Sequence, residues 1–363
     1  MAEESFVVSA RKYRPDSFTS VLGQEAITRT LENAISSNHL AQSFLFCGPR
    51  GVGKTTCARI LAKRINTVPG TELDGHDFAF NIFELDAASN NTVDDIRNLI
   101  DQVRIPPQVG KYRVYIIDEV HMLSSAAFNA FLKTLEEPPA HAIFILATTE
   151  KHKILPTILS RCQVFDFKRI EIRDIIKQLE IICEREGVEA EHDALLVIAQ
   201  KADGAMRDAL SIFDQMVTFS GMRLTYKDVI ENLNVLDQDY YFRLVDSIST
   251  SDIPACLLLL EDVLANGFDL HQFVSGAAEH LRHLLICKEP ATLPLLHVGE
   301  GVKERFVKQS SGLSLRFIVD ALSILTKCDI NFKSSRNPRL LVEVSLMQLC
   351  SVQPLAEKKK SLM

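Results

Sequence analysis

A chain of 363 residues, 47% hydrophobic and 24% charged, has the composition of a soluble globular protein and enough apolar material for two or three cores. No apolar run approaches the roughly 18 residues of a membrane-spanning helix, and the acidic start Met1-Ala2-Glu3-Glu4-Ser5 lacks the basic and apolar regions of a secretory signal, which points to the cytoplasm. A net charge of −7 excludes a surface that coats nucleic acid throughout while leaving room for a local basic patch; the eight scattered cysteines have no C-x-x-C spacing and read as reduced core thiols, with no zinc site.

In chain order, the basic segment Ala10-Arg11-Lys12-Tyr13-Arg14-Pro15 ends on a proline and so cannot close as a helix interior. Ala26, Ile27, Leu31, Ala34 and Ile35 then recur at helical period. Phe44-Leu45-Phe46-Cys47 is an apolar strand, followed by Gly48-Pro49-Arg50-Gly51-Val52-Gly53-Lys54-Thr55, which satisfies G-x-x-x-x-G-K-[ST] at every specified position, and by the helical Ala58 to Lys63. Thr67 to His76 is rich in Pro and Gly and reads as a loop to a strand at Ile82 to Leu85. Ser89-Asn90-Asn91-Thr92 opens a helix whose first turn carries Asp94 and Asp95 and which ends before Pro106-Pro107. Val114 to Ile117 forms a buried strand ending in Asp118-Glu119. Helix Ala126 to Glu136, strand Ala142 to Ala147 and strand Val164 to Phe167 follow. Such alternation implies a mainly parallel sheet covered by helices. Beyond about residue 170 strand signals vanish. Helices are expected near 171 to 186, 193 to 201, 205 to 219 and 226 to 232, then an all-helical block from about 238 that includes Pro254 to Ala265 and Leu313 to Phe332. Lys358-Lys359-Lys360 reads as a solvated tail.

Between a strand and a helix, the glycine-rich loop can wrap a triphosphate with its amides, at the positive end of the following helix. Gly48 to Gly53 with Lys54, Thr55 and Thr56 are therefore the nucleotide-binding set, Lys54 neutralising the β and γ phosphates and Thr55 ligating Mg²⁺. Asp118 emerges at the carboxyl end of its strand to hold Mg²⁺, and Glu119 is placed to polarise the attacking water. Thr148-Thr149 ends the next strand at the same sheet edge, either to orient water and sense the γ phosphate or as a plain hydroxyl-rich terminus. Arg161, at a helix end just before a strand, suits insertion into a neighbouring subunit's site; taken alone it reads as a surface ion-pair residue. Arg207, in the first turns of a helix opened by Gly204, could reach the γ phosphate from a separate helical domain and couple nucleotide state to domain angle.

With these residues in order, the chain resembles bacterial DNA polymerase III clamp-loader subunits of the gamma/tau type, within the AAA+ ATPases. The resemblance runs through Tyr13-Arg14-Pro15, Gly23-Gln24-Glu25, the phosphate loop, Asp86 to Asn91, Asp118-Glu119-Val120-His121-Met122-Leu123, Leu135 to Pro139, Ser160-Arg161-Cys162 and Gly204 to Leu210. It implies an α/β fold followed by all-α structure: an AAA+ P-loop core over 1–170, a small helical lid over 171–234 and a helical collar for oligomerisation over 235–363. It further implies that Tyr13, Arg14, Pro15 and Val21 lie near the adenine, that Thr149 is the first sensor and Arg207 the second, and that Arg161 is the finger acting in trans. The implied cofactors are ATP and Mg²⁺. The implied partners are the other subunits of a five-membered ring, the sliding clamp and primer-template DNA, contacted at its backbone through Asn90, Asn91 and Arg97; no membrane is implied.

Two departures stand out. Family members usually carry a four-cysteine zinc module before the Asp86 strand, yet Asn66 to Phe83 holds no cysteine, and His76 alone cannot bind structural zinc, so no zinc is expected. Long members continue past the point where this chain stops, into regions that bind the replicative helicase and the polymerase, so the chain resembles a short form, a paralogue or a truncated chain. Two other readings stay open beside an ATP-hydrolysing motor: a non-hydrolysing scaffold subunit, and a helicase-like AAA+ motor such as a branch migrator, which would call for a C-terminal winged helix.

Overall fold

The structure, a computed structural model, describes residues 7–66, 78–108, 110–233, 235–296 and 298–352. The loop expected over Thr67 to His76, the zinc question attached to His76 and the Lys358 to Lys360 tail lie outside these residues. The chain divides into two compact units, Met1–Ala190 with Ile198–Arg223 and Glu191–Val197 with Leu224–Met363.

In the first unit, β1 (Ser43–Cys47), β2 (Ile82–Asp86), β3 (Arg113–Asp118), β4 (Ala142–Thr148) and β5 (Gln163–Asp166) form one parallel sheet in the order β2-β3-β4-β1-β5. Every residue of β1 and β4 is buried, as a parallel strand covered on both faces requires. Alternate side chains go to opposite layers. Phe44, Phe46, Ile116 and Ile145 pack with Leu31, Ala58 and Leu61 on one face; Leu45, Tyr115, Ile117 and Phe144 pack with Ile96, Phe128 and Phe131 on the other. The register Cys47↔Thr148 and Ile117↔Leu146 brings the carboxyl ends of β1, β4 and β3 level.

Helix starts obey local chemistry. Thr92 and Asp95 form a reciprocal capping box at Val93–Val103, and Ser124 Oγ accepts the Ala127 N–H (3.2 Å) at Ser125–Glu136, each cap contributing about 1 kcal/mol. Three expectations need correction. Two-residue strands occur at Glu189–Ala190 and Arg223–Leu224, too short for any alternation to be legible. The last strand of the sheet ends at Asp166 and not at Phe167, whose N–H still donates to the Cys47 carbonyl (2.7 Å) beside Gly48 of the phosphate loop. Ser314, which caps Leu315–Phe332, leaves Leu313 before that helix.

The described residues from Gln238 on contain only helical elements and their connections. The α-helices are Gln238–Ser249, Ile253–Ala265, Leu270–Ile286, Glu300–Ser311, Leu315–Phe332 and Pro338–Cys350, around a core that includes Phe242, Leu260, Phe273, Phe306, Phe317 and Leu346. No described helix is long and apolar enough to cross a membrane. All eight cysteines are free, and burial pushes the Cys47 and Cys57 thiols up to about 11 and about 12, so both stay protonated.

Gly276 packs against the Tyr241 ring, which is itself stacked on Phe273. Glycine-to-alanine in a helix interior ordinarily stabilises by about 1 kcal/mol. Here the added methyl would overlap a buried, immobilised phenol, which costs about 1–3 kcal/mol. Gly276→Ala is therefore expected to lower the urea midpoint, read by circular dichroism because the chain has no Trp.

His280 donates from Nε2 to Gln309 Oε1 (2.9 Å), and burial holds its imidazole down at about 4, with His283 and Arg305 also opposing its protonation. The folded value lies below the unfolded 6.5, so this group's contribution to stability is complete above 6.5 and is lost as pH falls from 6.5 towards 4. An NMR titration of the folded chain should show one imidazole still neutral at pH 5.

Candidate nucleotide-binding site

The phosphate loop leaves β1 and enters the helix Lys54–Asn66. Gly51 sits at φ +76°, a region closed to most side chains, and a Cβ there would stand 2.9 Å from the Ala205 Cβ. A Cβ on Gly48 would stand 2.5 Å from the Phe167 carbonyl oxygen. Both glycines are thus required by close packing under the loop as well as by its curvature.

Lys54 is buried, and its Nζ donates to the Gly48 and Pro49 carbonyls, each at 2.7 Å. Burial pushes its ammonium down from the ordinary value, while Glu119 and Asp118 draw it back up. Thr55 Oγ1 donates to Asp118 Oδ2 (2.7 Å), which joins the loop to the end of β3 across 63 residues of sequence. A hydroxyl and a carboxylate side by side are hard oxygen donors. They fit Mg²⁺, which takes one or two protein oxygens and completes its shell with water and phosphate. Among the described residues no group of three or more His, Cys, Asp and Glu side chains is arranged to hold a metal.

Glu119 comes directly after Asp118 with φ 48° and ψ 45°, the left-handed region, at roughly 1–2 kcal/mol for a residue with a Cβ. That turn swings its carboxylate to the end of β4. There Oε2 accepts from the Thr149 N–H (3.1 Å) and the Thr149 hydroxyl (2.9 Å). Thr149 thus holds the carboxylate expected to polarise water.

Arg207 opens the helix Met206–Ser220, and its N–H donates to the Gly51 carbonyl (3.4 Å). The helix is held beside the loop by the Ile170 N–H, which donates to the Gly204 carbonyl (3.0 Å), and by the Ala205 methyl under Gly51. The Arg207 residue is exposed. Val21 is buried and lies 3.8 Å from a Cβ built on Gly53.

Other expected residues stand apart. The Tyr13 hydroxyl bonds to Glu186 Oε1, with Lys12 Nζ on the same oxygen at 2.6 Å, so any adenine contact is left to the ring and backbone of Tyr13; Arg14 is exposed and Pro15 half-buried. Arg161 pairs with Glu136 and donates to the Thr157 carbonyl (2.6 Å), partners outside its own subunit's phosphate loop. Asn90 Nδ2 donates to the Asp86 carbonyl (3.0 Å), Asn91 is exposed and Arg97 pairs with Asp94 at 3.1 Å. Two motif residues to which the sequence assigned no role are Gln24, whose amide brackets Lys168 by accepting its N–H (3.2 Å) and donating to its carbonyl (2.7 Å), and His121, beside Thr148. A polar residue just after Gly23 and a histidine two positions past Glu119 were the available signals.

Three family models match in series: "DNA polymerase III, delta subunit" over residues 23–171, "DNA polymerase III clamp loader subunit, ATPase lid domain" over 174–222 and "DNA polymerase III subunits gamma and tau domain III" over 224–363. The DNA polymerase III subunit tau of Bacillus subtilis is 40% identical over 357 residues, covering 95% of this chain and 63% of that protein. The tau subunit of Escherichia coli is 40% identical over 277 residues, covering 73% of this chain and 43% of that one. The chain thus spans less than two thirds of the length of these relatives. Among solved structures, the Thermotoga maritima RuvB Holliday junction branch migration motor aligns with a TM-score of 0.50 at 18% identity, covering 83% of this chain and 92% of that one. That likeness shows an AAA+ fold and nothing about activity.

Gly51→Ala tests the packing under the loop. Left-handed strain of about 1–2 kcal/mol adds to the clash with Ala205, so a clear drop in melting temperature is expected, larger than for Gly267→Ala, which shares the left-handed strain (φ +78°) but has nothing within 4 Å of the added Cβ.

Proposed function

Because the chain belongs to the gamma/tau family of bacterial DNA polymerase III clamp-loader subunits, we propose that it is an ATP-hydrolysing motor subunit that opens a sliding clamp and loads it on primed DNA. The observation that carries this reading is the convergence of two linked pairs at one sheet edge, Thr55 with Asp118 and Glu119 with Thr149. A non-hydrolysing scaffold has no need of the full set.

In this reading the loop amides and Lys54 bind the β and γ phosphates, and Thr55 and Asp118 would hold Mg²⁺, which would supply neutralising charge to the phosphate oxygens. Thr56 continues the binding set; Val21, with Tyr13, Arg14 and Pro15, flanks the adenine. Glu119 orients the attacking water by accepting its hydrogen bond, and Thr149 fixes that carboxylate while facing the terminal phosphate. Water adds to the γ phosphorus, the bond to the β-γ bridging oxygen breaks, and ADP and phosphate leave. Arg207 contacts the γ phosphate from the helix whose N-terminus already touches Gly51, so phosphate loss is felt at the lid. Arg161 serves the neighbouring subunit's site, its Glu136 pair holding it poised at the surface until that site is docked.

The three-part division at 1–170, 171–234 and 235–363 goes with these roles as motor, lid and collar. The wholly helical run of described residues after Gln238 supports a packing collar over the winged helix that a branch migrator would call for. The partners proposed are the other subunits of a five-membered ring, the clamp and primer-template DNA, met at its backbone by Asn90, Asn91 and Arg97 in the bacterial cytoplasm; polymerase and helicase join where longer forms exist. Zinc has no role in this scheme.

ATP turnover by the lone chain should be slow and rise with partner subunits, clamp and primed DNA; fast DNA-independent turnover contradicts the proposal. Lys54→Ala should lose ATP binding. Arg161→Ala should bind ATP normally while the assembled complex loses about 10³-fold or more in hydrolysis; unchanged turnover removes Arg161 from the mechanism.

A further inference from the structure

His121 lies on the short turn Val120–Met122, directly after the left-handed Glu119. Only 7% of its side chain is exposed. The turn folds its ring back on β4, where Nδ1 stands 3.0 Å from Thr148 Oγ1 and 3.3 Å from Glu119 Oε2. Thr148 is wholly buried, and its Oγ1 also accepts the Glu150 N–H (3.0 Å), so this hydroxyl is pinned from the far side.

The proton on this imidazole can be placed by its neighbours. With Nδ1 bare, a lone pair would face the Glu119 carboxylate at 3.3 Å, an arrangement that repels. With a proton on Nδ1, the ring donates to Thr148 Oγ1 and turns its positive edge toward Glu119 Oε2. Nδ1–H is therefore the form this pocket selects.

We propose that His121 is a positioning residue for Glu119: its ring, hydrogen-bonded to Thr148, sets Nδ1 against Oε2 at 3.3 Å, beside the Thr149 N–H and hydroxyl that donate to that oxygen, and so leaves Oε1 to face the attacking water. The grip is one-sided by construction. Two hydrogen bonds and the ring edge against one oxygen stop the carboxylate from rotating about its terminal bond, and a carboxylate that rotates misaligns the water it holds. Thr148 completes the device. Its buried hydroxyl sets the ring plane, so the end of β4 holds Glu119 twice, directly through Thr149 and indirectly through Thr148 and His121. This inference rests on Glu119 acting in ATP hydrolysis as proposed above.

The test uses the assembled complex with clamp and primed DNA, and reads kcat, KM for ATP and nucleotide affinity for four chains. His121→Ala and His121→Leu should lose roughly 10- to 100-fold in kcat, with KM and nucleotide affinity within about twofold of wild type and unchanged melting curves. His121→Asn, whose side-chain N–H can stand where Nδ1–H stood, should recover most of that loss; Leu has the bulk without the donor. On the wild-type chain, ¹⁵N shifts of the imidazole should show the proton on Nδ1. A kcat unchanged in His121→Ala, or equal loss in the Leu and Asn variants, or a bare Nδ1, overturns the proposal and leaves the ATPase reading standing. A wild-type complex without ATP turnover overturns both.

Discussion

The site depends on one feature of topology, the insertion of β4 between β1 and β3 in parallel register. Because Cys47 lies opposite Thr148 and Ile117 opposite Leu146, three strands end level, and the residues at or just past their carboxyl ends are delivered to one line. From β1 comes the phosphate loop, from β3 the Asp118-Glu119 pair, and from β4 Thr148 and Thr149. Had β3 paired with β1 directly, Glu119 would have no β4 end to rest on. The left-handed backbone at Glu119 is part of the same arrangement. Its strain is small beside the hydrogen bonds it permits, since bonds to a charged group are worth about 1.5–3 kcal/mol each.

Much of this was legible in the residues. Buried parallel strands declare themselves as unbroken apolar runs, and β1, β3 and β4 are such runs. The phosphate loop is local, with every required residue within eight positions. Pairing over distance stayed hidden. Thr149 holds Glu119 across 30 residues and Thr55 meets Asp118 across 63; no period or spacing reports such contacts. His121 was in view as part of a motif, yet its role emerges only from the turn that folds it onto Thr148. Arg161 carried two readings, a finger for a neighbour or an ion-pair partner. The Glu136 pair satisfies the second without closing the first, because a surface pair worth about 0–1 kcal/mol is easily exchanged for a phosphate. Tyr13 shows the opposite case: its hydroxyl is committed to Glu186, a partner 173 residues away that the sequence could not disclose.

The two compact units divide the physical work. The first is a rigid sheet edge carrying polar groups in fixed geometry, with the lid helix Met206–Ser220 seated directly on the loop through Ala205 and Arg207. The second is an apolar helical assembly in which Gly276 lets the Tyr241 ring pack directly against a helix backbone.

The central claim is that each active site is completed by a neighbour, with Lys54, Thr55, Asp118 and Glu119 from one chain and Arg161 from the next. Mixing Lys54→Ala chains with Arg161→Ala chains in one assembly measures this most directly. Neither variant should hydrolyse ATP appreciably by itself, while the mixture should regain activity at interfaces where an intact phosphate loop meets an intact Arg161. A mixture no more active than its two components would contradict the shared site.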